Sequence, residues 1–293
     1  MDNFIVLYNP LAGNGTAQDK MRELESLMQG DRLYFSNMLD IRDYGAFFND
    51  MPDGASIIIC GGDGTLNRFL NDTEDIRPDC DIYYYPSGSG NDFARDIGAE
   101  RGAPPVLINR YIERLPKICV NGKEHRFING IGYGIDGYCC EKGDELRGKG
   151  NGEVNYTAIA IKGLLFHYKP TGATITVDGV EHRFEKVWLT PTMIGRYYGG
   201  GMMPTPEQDR LNGDGAVSVM VYYGSGKLKS LAVFPSIFKG EHVKHGEMVA
   251  VLSGRSITVR FDEQRPLQID GETVSGVREY SVTACEEKVL QPA

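Results

Sequence analysis

No apolar run in the 293-residue chain approaches the roughly 18 residues that a membrane-crossing helix needs. Met1-Asp2-Asn3 carries no positive charge, and Phe4 to Tyr8 is far too short for the apolar stretch of a secretory signal. The six cysteines (Cys60, Cys80, Cys119, Cys139, Cys140, Cys285) show no CxxC spacing. Reduced thiols in a cytoplasmic protein are therefore the simplest expectation. The five histidines include no HExxH and no other metal-site spacing. Basic charge is also short: 31 Lys and Arg stand against 40 Asp and Glu, a net charge of −9. That balance argues against nucleic acid as a partner, because such binding depends on neutralising phosphates. Neither a GxxxxGK[ST] loop nor a GxGxxG fingerprint occurs, and there are no repeats or low-complexity linkers.

What the chain has in excess is glycine, 37 residues or about 13%, against a usual share of roughly 7%. Much of it falls beside Asp, Asn, Ser and Thr, where backbone comes close to a ligand. Up to about residue 115, strand-like runs alternate with helical spacing. Phe4 to Tyr8 and Ser56 to Cys60 read as buried strands, and Asp81 to Tyr85 as another. Helices are expected over Thr16 to Met28, near Tyr44 to Phe48, after Gly61, and over Asn91 to Ile97. This alternation implies an α/β domain with a doubly wound, mostly parallel sheet. Beyond that point strand-like runs dominate, and Asn121-Gly122 and Asp178-Gly179 are hairpin turns. A mostly antiparallel second domain, a β-sandwich, follows, interrupted by a helix over Val154 to His167.

Three times in the first domain a strand runs into a glycine-rich turn that opens a helix: Asn9 to Gly15, Gly61 to Thr65, and Pro86 to Asn91. In a parallel sheet all three lie at the carboxyl edge, where ligands bind. Glycines beside helix N-termini favour phosphate, and a nucleotide is the natural ligand. Asp63 is the informative member. A carboxylate inside a phosphate-binding turn repels phosphate unless a cation or a transferable proton mediates, which points to Mg²⁺-assisted phosphoryl transfer. The plainer reading is an Asp that serves only as a turn or cap residue.

Asn9-Pro10 with Gly13 and Gly15, then Gly61-Gly62-Asp63-Gly64-Thr65-Leu66-Asn67, then Gly88-Ser89-Gly90-Asn91-Asp92-Phe93-Ala94-Arg95, resemble the diacylglycerol and sphingosine lipid kinases. Gly199-Gly200-Gly201-Met202, Asn212-Gly213-Asp214-Gly215 and Asp270-Gly271-Glu272 continue the resemblance in the same order, so it covers nearly the whole chain. The glycine-aspartate turn alone is shared with NAD kinases; Asn91 to Arg95 and Asp270 to Glu272 are more specific to the lipid branch.

The resemblance implies a nucleotide domain over 1–116, a β-sandwich acceptor and metal domain over 117–284 with the active cleft between them, and a return of 285–293 to the first domain. It implies that Asn9, Gly13, Gly62, Asp63, Gly64, Thr65, Ser89 and Asn91 contact ATP, the phosphoryl donor. Asp270 is the favoured general base, with Asp63 the alternative. Glu272 and Asp92 join the carboxylate network, and Asp214 holds Mg²⁺. Tyr198, Gly199, Gly200, Gly201 and Met202 line the acceptor pocket. The expected reaction is phosphorylation of diacylglycerol to phosphatidic acid by a cytoplasmic protein visiting the inner membrane face. Another lipid alcohol, NAD, or a non-catalytic nucleotide-binding role are the alternatives, and homodimerisation is left open.

Two departures touch the substrate reading. Arg68 stands where the family usually has Glu, and Ile194 where it often has Asn before the glycine run. Simpler readings stand beside the sharper ones: the glycine run as a flexible loop, Asp214 as a hairpin turn, Trp188 and the cysteines as core. Lys227, Lys229, Lys239, His242, Lys244 and His245 form a locally basic stretch, a solvated face in the plain reading and a membrane-docking patch in the other.

Overall fold

A computed structural model describes residues 2–10, 17–76, 78–88, 90–148, 159, 162–163 and 167–285. The chain divides into two compact units, Met1–Glu113 and Arg114–Ala293.

The first unit contains β1 (Asn3–Tyr8), α1 (Ala17–Leu27), β2 (Arg32–Asn37), α2 (Tyr44–Asn49), β3 (Ser56–Gly61), α3 (Asp63–Asp72), β4 (Ile82–Pro86), α4 (Asp92–Ile97), β5 (Val106–Leu107) and α5 (Asn109–Ile112). The sheet order is β2-β1-β3-β4-β5, parallel throughout except for the edge strand β5. Period-two alternation sends Val6, Ile58, Cys60 and Tyr85 to one face, where they meet Leu24 of α1. Ile57, Ile59 and Tyr84 face the other way, and Tyr84 stands edge-on to Phe93 of α4. Helices thus cover both faces, which is why these strands read as unbroken apolar runs. Full burial of side chains such as Ile58 stabilises by about 1.5–3 kcal/mol each. The short α2 begins where Asp43 caps it, its carboxylate accepting the Ala46 N–H at 3.0 Å.

The second unit contains β6 (Lys117–Val120), β7 (Lys123–Arg126), β8 (Gly130–Tyr133), α6 (Ile135–Gly148), β9 (Thr171–Val177), β10 (Val180–Val187), β11 (Thr192–Met193), β12 (Val217–Tyr222), α7 (Lys227–Val233), β13 (Val249–Gly254), β14 (Ser256–Ile269) and β15 (Glu272–Thr283). Two 3₁₀ segments, Phe234–Lys239 and Glu241–Lys244, follow α7. Pairing among the described strands is antiparallel, in the order β13-β12-β11-β8-β14-β15-β6-β7, with β9 joining β14 and β10 joining β9. β14 bends midway: residues 261–264 stand against Arg278 alone on β15. Its first half therefore pairs with β9 and its last residues with β8.

Asn121-Gly122 and Asp178-Gly179 close the β6–β7 and β9–β10 hairpins, with both central residues at positive φ. Asp270-Gly271 is a third turn of this kind, joining β14 to β15. The helix expected over Val154 to His167 lies largely outside the described residues, as does the tail beyond Cys285. α6 and the 227–244 helical stretch went unread in the sequence, because their inward residues are few and their surroundings are rich in glycine and β-branched runs.

Tyr133 marks the centre of this unit. Its ring packs edge-on against Phe261 at 4.4 Å and Tyr280 at 5.5 Å, and its hydroxyl donates to the Val277 carbonyl at 2.6 Å. Tyr133→Phe keeps the ring contacts and strands a buried carbonyl, so it is expected to lower stability by about 1–3 kcal/mol. A urea midpoint unchanged from wild type would show that the hydroxyl contributes nothing.

Candidate functional site

In the first unit, the register sets the strand ends that lead into the three glycine-rich turns side by side. Tyr8 pairs with Cys60, so Asn9 leaves the sheet beside Gly61, and Gly61 in turn pairs with Pro86. Gly13 and Ser89 lie outside the described residues. The turns after β3 and β4 are in backbone contact. Ser87 N–H donates to the Gly61 carbonyl at 2.9 Å, and a Cβ built on Gly88 would lie 2.5 Å from the Gly62 Cα. Glycine at 88 is therefore required for close approach, and a side chain at 62 would be tight, 3.1 Å from the Gly88 Cα. Gly64, by contrast, is exposed, with open space where a side chain would go.

Asp63 joins the same two turns through its side chain. Its carboxylate accepts the N–H of Asp92 at 2.7 Å and of Phe93 at 3.1 Å, the first amides of α4. Asn91, the residue before α4, is in the left-handed conformation and gives no side-chain cap; its amide instead donates to the Gly88 carbonyl at 2.8 Å. Asp63 thus caps a helix 29 residues away, the plainer of the two roles the sequence left open. Those two α4 amides are consequently turned to a carboxylate, which leaves the α3 end, beside Gly64, as the open side of the turn. Thr65 and Asp92 are buried. Burial first, and then the Asp63 charge, hold the Tyr84 phenol well above its ordinary pKa. Arg68 is exposed and pairs with Asp72 one turn on at 3.3 Å, so the unusual charge is answered on α3 itself.

In the second unit, Asp270 sits at the β14–β15 turn with φ 45°. Its carboxylate accepts three consecutive main-chain N–H groups: Ile128 at 2.6 Å, Asn129 at 2.9 Å and Gly130 at 3.0 Å. Arg210 fixes the same segment from the other side, donating to the Ile128 carbonyl and to Asn129 Oδ1. Glu272 follows on β15 and is exposed.

One titratable residue here was not singled out in the sequence. Asp136, in the first turn of α6, is half-buried, and its Oδ2 accepts Gln268 Nε2–H at 2.9 Å. The buried Gln268 then receives the Gly271 N–H on Oε1 at 2.6 Å. The Asp270-Gly271 turn is thereby tied to Asp136 through one amide side chain. The buried Tyr198 lies near the same carboxyl, though its hydroxyl makes no hydrogen bond to it. Burial pushes the Asp136 pKa up to about 6, against the lowering influence of Gln268 and Tyr198. A side chain at Gly132 would run into the Asp136 carboxyl. Gly130 to Gly137, one more glycine-rich strand-to-helix passage carrying an Asp, was the available signal.

The triple-glycine run is not a loose loop. Tyr198 and Met202 exchange two main-chain hydrogen bonds at 3.1 Å, and Gly199, Gly200 and Gly201 all take positive φ (61°, 82°, 107°). Tyr198 and Met202 belong to a buried cluster with Trp188, Met193 and Tyr222.

Asp214 is exposed in its turn and accepts the Ala216 N–H at 3.4 Å. Among the described residues, no three His, Cys, Asp or Glu side chains gather to hold a metal ion. That donor set does not suit an all-protein metal cage. It suits Mg²⁺ carried on nucleotide phosphates, which needs only one or two carboxylates from the protein.

Glycine turns abutting at the carboxyl edge of a parallel sheet, joined to an antiparallel second unit, define the phosphotransferase fold class that lipid and NAD kinases share. Residues 3–117 match the diacylglycerol kinase catalytic domain, and residues 129–286 match the YegS C-terminal NAD kinase beta sandwich-like domain. The chain belongs to this diacylglycerol kinase family of lipid kinases. It is 27% identical over 214 residues to a diacylglycerol kinase of Mycobacterium tuberculosis, covering 71% of this chain and 66% of that one. Identity to a Bacillus subtilis diacylglycerol kinase is 28% over 224 residues, covering 74% and 70%. The fold matches a crystal structure of a diacylglycerol kinase from Bacillus anthracis with TM-score 0.60 at 18% identity, over 97% of this chain and 94% of that one.

Two outcomes are expected from this geometry. Gly88→Ala drives the two turns apart and lowers stability by about 1–3 kcal/mol, whereas Gly64→Ala, with open space around it, leaves thermal unfolding near wild type; equal melting temperatures for both variants would refute the close approach. The second concerns pH. The Asp136 pKa is raised on folding, so its protonated form favours the folded state, and that stability is lost as pH rises from about 4 through about 6. Asp136→Asn should therefore gain on wild type by about 1–2 kcal/mol between pH 4 and pH 7.5. Denaturation midpoints at the two pH values measure this, and a difference that does not change with pH would contradict it.

Proposed function

We propose that the protein transfers the γ-phosphoryl group of ATP to the free hydroxyl of diacylglycerol, giving phosphatidic acid. The observation that carries the phosphoryl-transfer half is the backbone contact of the Gly62 and Gly88 turns, which leaves no side chain between them and the open α3 end. The relatives named diacylglycerol kinase support the choice of acceptor.

In this reading the phosphates of ATP approach the main chain beside Gly64 and Thr65, at the positive end of α3. Asp63 keeps that turn in register with the one before α4 and so acts on the nucleotide indirectly. Mg²⁺, when bound with ATP, would neutralise charge on the phosphate oxygens, with Asp92 as a carboxylate of the first unit that could hold it; Asp214 would hold a separate, structural Mg²⁺ in the second unit.

Asp270 is the proposed base. It would accept the acceptor hydroxyl's proton as that oxygen attacks the γ-phosphorus, the bond to the β–γ bridging oxygen breaks, and ADP leaves. Three of the roughly four lone-pair positions of its carboxylate face main-chain N–H groups. The carboxylate is therefore fixed in direction. The same contacts would also serve a purely structural corner. Asp178 provides the comparison within the molecule: also a hairpin Asp at positive φ, it accepts Arg255 and Ser256 N–H at 2.9 and 2.8 Å. What favours chemistry at Asp270 is its half-buried setting beside the Gln268–Asp136 pair, whereas Asp178 is exposed.

The test is radiolabelled ATP with diacylglycerol, a sphingoid base, ceramide and phosphatidylglycerol in mixed micelles, with wild type and Asp270→Asn compared at equal folded fraction. The expected result is labelled phosphatidic acid from wild type and a fall of at least about 100-fold in kcat for the variant, with KM for ATP little changed. Label in another lipid alone would reassign the acceptor. A variant that is less stable but equally active per folded molecule would make Asp270 a structural corner.

A further inference from the structure

Residues 227–239 form one continuous helical run, α7 passing directly into the 3₁₀ segment Phe234–Lys239. Its inward face follows helical spacing: Ser230, Val233 and Ile237 are buried, and the last two join the cluster around Trp188 and Tyr222. The outward face of such a segment is ordinarily polar. Here it carries Leu228, Ala232, Pro235 and Phe238, spaced by four, three and three residues, and all four are exposed. Leu228 is 81% exposed and Phe238 46%. Among the described residues, nothing packs over this apolar stripe.

Lysines outnumber acids along this segment. Lys227, Lys229 and Lys239 are exposed along it, and residues 227–245 hold four lysines and a single acid, Glu241, in a chain of net charge −9. Lys244 pairs with Glu241 at 3.1 Å and Lys229 with Glu247 at 2.9 Å, and both lysines stay exposed. His242 adds nothing to this surface. It is buried against the Pro204 carbonyl at 2.9 Å, and burial holds its pKa below the ordinary histidine value.

We propose that the outward face of residues 227–239 is a docking surface for an anionic lipid bilayer, with Leu228 and Phe238 entering the headgroup boundary and Lys227 and Lys239 meeting lipid phosphates. Apolar side chains ringed by lysines are what such a surface requires, since apolar insertion and attraction to anionic lipid act together. A second copy of the chain fits less well. A two-fold interface through this stripe sets the lysines of one protomer against the same lysines of its partner. The proposal rests on the reading that the acceptor is a lipid, and it says which surface brings the chain to it.

The experiment is co-sedimentation of the full chain with vesicles of phosphatidylcholine alone and of phosphatidylcholine mixed with phosphatidylglycerol, at low and high salt. Two variants are compared, Leu228→Ser with Phe238→Ser, and Lys227→Gln with Lys239→Gln. Wild type is expected to prefer the anionic vesicles and to weaken with salt. Neutralising each lysine should weaken binding about fivefold, and removing the two apolar side chains about tenfold or more. Both variants should keep wild-type turnover on a short-chain acceptor in detergent micelles, where no bilayer has to be reached. Equal binding to both vesicle types, or variants that bind as wild type does, overturns the proposal. So does a wild-type dimer that the Leu228→Ser, Phe238→Ser variant converts to monomer in sedimentation equilibrium, since the stripe is then a self-interface. Anionic-vesicle binding that the variants lose, in a protein that phosphorylates no lipid, upholds the docking surface while removing the acceptor assigned above.

Discussion

A carboxylate answered by main-chain N–H groups far away in sequence is the joint on which both units depend. Asp63 takes the first amides of α4, and Asp270 takes three amides in a row at the start of β8. Each bond set is charge-assisted, and each satisfies donors that would otherwise be left at the end of a helix or strand. Removing either carboxylate would leave those donors partly buried without partners, a larger loss than that of an ordinary surface hydrogen bond. The glycines around these joints follow from them. At Gly62 and Gly88 the backbones touch, and at Gly132 the Asp136 carboxyl occupies the place of a side chain.

The same joints give the candidate chemistry its stiffness. The turn before α3 is held by two main-chain contacts and by the Asp63 carboxylate, so in the proposed reaction a phosphate would meet a surface already in place. On the other unit, the Asp270-Gly271 turn is gripped by the 128–130 amides and, through Gln268, by Asp136. Asp136 is the group whose proton affinity the fold shifts toward neutrality, although it was the carboxylates of the recognisable motifs that drew attention in the sequence. Its connection, through the Gln268 amide, is to the Gly271 N–H of the turn that carries Asp270.

The three-glycine run and the 227–239 segment show how one chain uses conformational freedom and exposure differently. Gly199 to Gly201 take positive φ in succession, a path that side chains resist, and so form a fixed corner that turns Tyr198 toward Asp136. Residues 227–239 obey ordinary helical spacing on their inward side and break the rule outward, where apolar groups face solvent between lysines. The first is a constraint satisfied inside the unit; the second waits on something outside it.

By itself the sequence determined the class of fold and the places where chemistry had to be sought. Alternating strand and helix periods in the first third, hairpin dipeptides at Asn121-Gly122 and Asp178-Gly179, and glycine-aspartate turns in family order are local signals, and local signals survive in a string of letters. Asp63 was legible as a special carboxylate, but its partners were not, because Asp92 and Phe93 lie 29 and 30 residues away and offer only backbone. Asp270 was legible as a motif residue, and only the tertiary structure made it a hairpin corner clasped by amides about 140 residues earlier. Asp136 was legible in neither sense. Its raised pKa arises from desolvation, with Gln268 and Tyr198 brought beside it by strands and turns distant in the chain. Burial and through-space contact have no period or spacing in the sequence, and so they were decided only when the chain folded.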